Sequence, residues 1–197
     1  MTQADSTARS TSRVSLAEHL AQTGRSAVKL HLGCGGVRWK DFINVDLYPD
    51  DGLPDDSRDG CIADVFADIR ALDLPENTID EIFTSHVIEH FPRWVALKML
   101  EDWFRMLKPG GQVVIEMPDF WRCVLWLFHP LPKNRRVARS QFYGNQWDQR
   151  DYETHRYVWA GSEFKKALLA IGFSTVKVSH WTETHYKGRD MRVTATK

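Results

Sequence analysis

The sequence predicts an α/β fold with a mostly parallel sheet and a ligand site along the carboxyl edge of its strands. Three observations predict it. An apolar run through Val28, Leu30 and Leu32 ends in Gly33, Gly35 and Gly36, the pattern of a buried strand whose backbone turns sharply at the sheet edge. A second apolar run, Phe42 to Val45, closes on Asp46, a carboxylate placed to accept hydrogen bonds from a ribose diol. An amphipathic stretch beginning at Pro92 stops at LKPGG (107–111) and leads into a further apolar run. Alternating strands and helices give a parallel sheet, and its carboxyl edge is where ligands bind in open α/β folds.

Composition sets the bounds. A chain of 197 residues is on the scale of one domain. Its 43% hydrophobic and 26% charged content are those of an ordinary globular chain. The formal net charge is zero, so no global field draws it to nucleic acid or to a membrane. No apolar run is long enough to span a bilayer, and the first residues lack a signal-peptide core. Three cysteines without a C-x-x-C spacing favour reduced thiols and a cytoplasmic location.

The elements follow in order. Residues 1–25 are expected to be a flexible segment: 1–13 are Ser-, Thr- and Ala-rich without periodicity, and 14–21 suit a short helix capped by Ser15, with Leu16 and Leu20 on one face. Residues 26–197 form the main domain. Strand one is predicted from Val28 to Leu32. About five residues separate Gly36 from strand two, whereas a parallel crossover normally needs a dozen or more, so the first crossover helix should be stunted, one turn over 37–39. Residues 48–60 read as an acidic, turn-rich loop. Strand three runs from Cys61 to Ala67 with Asp68 at its tip; Asp64 competes for the same role. Strand four covers Glu81 to Ser85. A helix opens at Pro92, with Leu97, Leu100, Phe104 and Leu107 as its apolar stripe. Strand five covers Gln112 to Met117. A helix capped by Ser162 and stopped by Gly172 precedes two strands, 174–178 and 189–196, expected as an antiparallel pair.

Residues 118–160 break the pattern. They carry Trp121, Trp126, Trp147 and Trp159, three tyrosines, and the basic run Lys133, Arg135, Arg136 and Arg139. Lying after strand five, above the ligand edge, they read as an inserted substrate lid. Most of the aromatics suit a small core of the lid itself. Arginines in a lid suit phosphate, and aromatic interleaving admits single-stranded nucleic acid, but the neutral overall charge argues against nucleic acid.

The dinucleotide pattern G-x-G-x-x-G is absent, because position 38 is Arg. The ordered set LGCG (32–35), Val45-Asp46, Ala67-Asp68-Ile69, HVIEHF (86–91) and LKPGG (107–111) resembles the class I S-adenosylmethionine (SAM)-dependent methyltransferases. It is nearest to a small bacterial-type group often found beside glycosyltransferases. The resemblance covers roughly residues 28–117, with Gly172-Phe173 beyond. It implies a Rossmann-like sheet with the last strand antiparallel, and SAM as cofactor. It implies cofactor contacts from Gly33, Cys34, Gly35, Asp46, Asp68, Ile69 and the backbone of His86. His31 stands where the family usually has an acid, which removes one polar contact to the methionine end.

His86, Glu89 and His90 fall at i, i+3 and i+4 and share a face if the turn is helical. The readings are a structural turn beside the cofactor, a general base, or a metal site, since HxxEH is similar to the inverzincin signature and to the ExxEH motif of small-RNA 2′-O-methyltransferases. His155 lies just before the 162–171 helix, near where the group carries a histidine. The expectation is a histidine base and no metal, the candidates being His90, His155 and His86 in that order. The expected activity is methyl transfer to a small molecule or glycan, a sugar or nucleotide-linked sugar hydroxyl, by in-line attack on the sulfonium methyl. The alternative is a non-catalytic SAM-binding regulatory or partner protein.

Overall fold

The computed structural model describes residues 15–47, 62–146, 151–184 and 188–197. The expectations for residues 1–13, the 48–60 loop, the strand start at Cys61 and Trp147 lie outside them. The described residues build one seven-stranded sheet in the order β3-β2-β1-β4-β5-β7-β6. The strands are β1 (Lys29–Leu32), β2 (Ile43–Asp46), β3 (Val65–Phe66), β4 (Ile79–Ser85), β5 (Leu107–Pro118), β6 (Thr175–Ser179) and β7 (Asp190–Thr196). The first five pair in parallel; β7 runs antiparallel to both β5 and β6. The expected fold class is therefore the observed one. Strand order reverses beside β1, so the tips of β1, β2 and β4 form the crevice in which a ligand can sit.

Alternation along the strands sorts the two faces. Leu30, Leu32, Ile43, Val45, Ile82, Val113 and Ile115 join one large core with residues of α2 (Arg93–Met106) and α5 (Gly161–Ile171). The buried face of α2 is Ala96, Met99, Leu100, Trp103 and Met106, turned about one position from the expected stripe; Leu97 and Phe104 pack at its margin, and Leu107 already belongs to β5. The opposite face carries a small aromatic cluster of Phe42, Phe83, Val114 and Trp39.

That cluster explains the short first crossover. No helix forms between Gly33 and Phe42, not even over 37–39. Instead the loop lays Trp39 on Phe83, stacked at 4.0 Å between centroids. Asn44 clamps it, accepting from Trp39 N at 2.9 Å and donating to Trp39 O at 3.1 Å. His31 points into this same cluster and is 3% exposed, so it lies on the far face of the sheet from the large core.

Three boundaries differ from expectation for local reasons. β3 is two residues long, because Asp64 is drawn out of the strand to accept from Asn44 N and Nδ2 and to pair with Arg38. β5 includes LKPGG, which crosses from helix to strand with no intervening loop. Helix α5 starts at Gly161, and Ser162 is not its cap: Asp119 Oδ2 accepts from Gly161 N at 3.0 Å, while Asp119 Oδ1 accepts from Arg122 N at 2.9 Å. One buried carboxylate thus caps both α5 and α3 (Phe120–Leu127), joining the two ends of the 118–160 segment. Within that segment α3 and α4 (Pro132–Tyr143) pack as a hairpin. Helix α1 (Leu16–Thr23) has the expected Ser15 cap, completed by Glu18 into a reciprocal capping box.

Candidate active site

A cleft of about 1020 Å³ opens at the carboxyl edge of the sheet. Gly33, Gly35, Asp46, Asp68, Ile69, His86, His90 and His155 all line it. Cys34 does not: it is 3% exposed, and its Sγ contacts the Gly35 carbonyl.

One half of the cleft is built by main chain. Gly33 and Gly35 have φ of +69° and +49°, conformations that favour glycine. The amides of Gly33 and Cys34 both donate to Val45 O, at 2.9 and 3.2 Å, locking the turn onto β2. A Cβ on Gly33 would lie 2.3 Å from Val87 Cγ2, whereas one on Gly35 would meet open space. Asp46 accepts from Gly35 N at 2.6 Å and from Leu47 N at 2.7 Å, one bond per oxygen. A carboxylate offers about four acceptor sites, so both oxygens keep capacity for a diol. Asp68 is gripped by Arg70 through Nε and Nη2 at 2.6–2.9 Å, which holds its carboxyl below the usual carboxylate range. Asp64 faces Asn44 and does not line the cleft. Ile69, 8% exposed, is the apolar wall. A glycine cradle, a diol acceptor and an apolar wall are the donor and contact set that a nucleoside-bearing cofactor requires.

The other half is built by side chains. His86 follows β4 directly with φ +54°, a left-handed conformation costly for a bulky residue and concentrated at functional sites. Its Nε2 lies 3.1 Å from Asp190 Oδ2 and its Nδ1 lies 3.0 Å from Glu89 Oε1. Burial opposes its charged form, but the two carboxylates outweigh burial and raise its pKa to about 9. His86 is thus a cation at neutral pH, and Arg189, paired with Asp190 at 2.5 Å, is the second cation facing the two carboxylates. Glu89 is 1% exposed. Burial would raise its pKa, yet His86, His90 and His155 hold it down to about 2. Its contact with His86 is an ion pair not aligned as a hydrogen bond, and no described donor is aligned on either carboxylate oxygen.

His90 and His155 meet edge to face, 4.7 Å between ring centroids. His155 Nδ1 lies 2.7 Å from Gln141 O; a carbonyl only accepts, so Nδ1 carries the proton and Nε2 keeps its lone pair. Burial pushes the His155 pKa below its ordinary value, leaving it neutral. Glu89, His90 and His155 each bring a ligand atom within 4.8 Å of the others, a group that could hold a metal ion. The inserted segment is tied to this point: Arg156 N and Tyr157 N donate to Glu89 O at 2.7 and 3.2 Å. Gly144, at φ +76°, lets the 153–155 segment lie against the end of α4; a Cβ there would sit 1.8 Å from Glu153 O.

Of the basic run, Arg136 lines the cleft. Arg70, Arg156 and Arg189 line it too, each paired with an aspartate. Sequence reasoning missed Asp190, Arg189, Gln141 and Gly144. Gly144 was open to detection as a helix stop; nothing in the sequence brings Arg189 and Asp190 to His86.

A family profile described as a methyltransferase domain matches residues 15–178. Among curated proteins none matches. Solved structures share the fold. A SAM-dependent methyltransferase from Archaeoglobus fulgidus superposes with a TM-score of 0.58 at 17% identity, covering 91% of each chain. A possible histamine N-methyltransferase from Thermotoga maritima gives 0.53 at 16%, covering 94% of this chain and 90% of its own. The 1,6-didemethyltoxoflavin-N1-methyltransferase of Burkholderia thailandensis, solved with S-adenosylhomocysteine, gives 0.56 at 18%, covering 92% and 75%.

Proposed function

The chain belongs to the methyltransferase-domain family, and from that premise we propose that it methylates a hydroxyl of a small molecule or glycan, with His155 as the general base. The cofactor is SAM, which supplies a methyl group made electrophilic by the sulfonium charge. Gly33 and Gly35 let it approach the protein main chain closely, Asp46 accepts from the ribose hydroxyls, and Ile69 packs on the adenine. Asp68 supports the adenine end only if Arg70 leaves one of its oxygens free to accept.

The acceptor lies between this half and the histidines. His155 Nε2 takes the hydroxyl proton as the acceptor oxygen bonds to the methyl carbon and the carbon–sulfur bond breaks. Glu89 stabilises the imidazolium that results, and His90 packs against the ring and fixes its plane. His86 is a positioning residue: already protonated, it cannot accept a proton, but it anchors Glu89. The segment 118–160 is the lid over this half. Arg136, exposed on α4 and with no carboxylate partner among the described residues, suits an anionic group on the acceptor, as on a nucleotide-linked sugar.

The observation that carries the reading is the Gln141 carbonyl on His155 Nδ1, which fixes the tautomer a base requires. Turnover of a panel of sugar and nucleotide-sugar hydroxyls, read as S-adenosylhomocysteine release, tests it. Product with wild type and a large loss in His155→Ala is expected; amine substrates alone being turned over would reject the hydroxyl assignment. A second reading rests on the two unaligned Glu89 oxygens: a divalent cation on Glu89, His90 and His155 would activate the hydroxyl in place of the free base. Activity removed by a chelator and restored by one divalent ion selects that reading; full activity in chelator selects the free histidine.

A further inference from the structure

The apolar surface of the hairpin faces away from the chemistry. Seven of the eight residues of α3 are apolar, Arg122 being the exception, too many for a two-helix hairpin to hide. Cys123 turns inward and is fully buried. Trp121, Leu125 and Phe128, spaced i, i+4 and i+7 along one stripe, are 61%, 65% and 81% exposed, and Leu131 extends the stripe into the turn at 59%. Isolated exposed apolar residues are ordinary, but a contiguous stripe marks a contact surface.

Charge decides what contacts it. Residues 120–146 hold Arg122, Lys133, Arg135, Arg136 and Arg139 and no Asp or Glu. The whole chain is neutral, so the remainder carries five net negative charges. Two of these cations sit beside the stripe. Arg135 Nη1 donates to the carbonyls of His129 and Pro130 at 3.0 and 3.2 Å, which holds its guanidinium at the turn between Phe128 and Leu131. Arg122 shares a shallow groove with Trp121, Leu125 and Lys165. Trp, Phe and Leu on one side with Lys and Arg at its margin is the make-up of a segment lying in a bilayer interface. No described helix is long and apolar enough to cross a membrane.

We infer that the outer face of the α3–α4 hairpin docks onto an anionic lipid surface, with Trp121, Leu125, Phe128 and Leu131 entering the headgroup–acyl boundary and Arg122, Lys133 and Arg135 meeting lipid phosphates. α4 also lends Arg136, Val137, Ser140 and Gln141 to the cleft wall, so docking brings the acceptor half of the site to the bilayer surface. The inference rests on the hairpin alone and is independent of which acceptor is methylated.

Co-sedimentation of the full chain with phosphatidylglycerol/phosphatidylcholine vesicles, and with pure phosphatidylcholine vesicles, tests it. Binding to the anionic vesicles that weakens as salt rises is expected. Lys133→Gln and Arg135→Gln should each lower the partition coefficient about fivefold. The double variant Leu125→Asp with Phe128→Asp should abolish binding while keeping the wild-type melting temperature, since both side chains are exposed. Absence of binding to anionic vesicles, or unchanged binding in the double variant, overturns the inference. So does a dimer by sedimentation velocity without lipid that Phe128→Asp dissociates, which assigns the stripe to a second copy of the chain.

Discussion

The two halves of the cleft are made in different ways. The half at β1 and β2 is contiguous: Gly33 to Asp46 spans fourteen positions, and its key contacts are amides on a carbonyl and on one carboxylate. The half at β4 is assembled from Glu89 and His90 after the strand, His155 at the end of the inserted segment, and Asp190 at the start of β7. Main chain fixes the first half through conformation, whereas the second depends on charged and aromatic side chains arriving from about a hundred residues apart. Damage to the first half should therefore appear as lost cofactor affinity. Damage to the second should appear as lost turnover with affinity intact.

The largest effect should come from the base. His155→Ala is expected to lower turnover by about 10²–10⁴-fold, with S-adenosylhomocysteine affinity by calorimetry unchanged. His90→Ala exchanging places with it, as the more damaging change, would restore the order expected from sequence. Next is Gly144→Ala, where a Cβ 1.8 Å from Glu153 O must displace the 153–155 segment and with it His155. A shift of about 1 Å at a reacting group can cost ~10²-fold, so turnover should fall by that order while cofactor affinity holds. Equal losses in affinity and turnover would mean that the two halves are not separable.

A smaller effect concerns pH. The pKa of His86 is raised to about 9 by Asp190 and Glu89 against burial, so the stability it contributes is complete below its ordinary value and is lost as pH rises through about 9. Glu89 is depressed to about 2, so its contribution is complete above its ordinary value and is lost as pH falls through about 2. The two shifts share the His86–Glu89 pair, which counts once, on the order of 1–3 kcal/mol. Melting temperature followed across alkaline pH should fall through the upper limb in wild type. His86→Asn, which tolerates the left-handed backbone, should flatten that limb. An unchanged alkaline limb in the variant would place the titrating group elsewhere.

The contrast between halves also governs what could be read from sequence. The glycine turn, Asp46 and the Asp68–Ile69 tip were legible, because a strand ending in glycines and another ending in an acid are local patterns with a fixed place in a parallel sheet. The Ser15 cap was legible for the same reason. Asp119 was not: a single residue capping two helices, one of them more than forty positions later, leaves no periodic trace. The stunted crossover was evident from its length, but the aromatic cluster that replaces the helix depends on Trp39 reaching Phe83 across the sheet. The three histidines were legible as candidates, and they line one cleft. The contacts that set their protonation were not legible: Asp190 beside His86 and the Gln141 carbonyl on His155 are not near them in sequence.

The most direct test of the division is a binding measurement. S-adenosylhomocysteine is titrated calorimetrically into wild type, Asp46→Ala and His155→Ala. Asp46→Ala should lose ~1.5–3 kcal/mol of binding, the size of hydrogen bonds to a charged group, and His155→Ala should bind as wild type. Unchanged affinity in Asp46→Ala, or a comparable loss in His155→Ala, would contradict a cofactor seated in the main-chain half with the chemistry in the other.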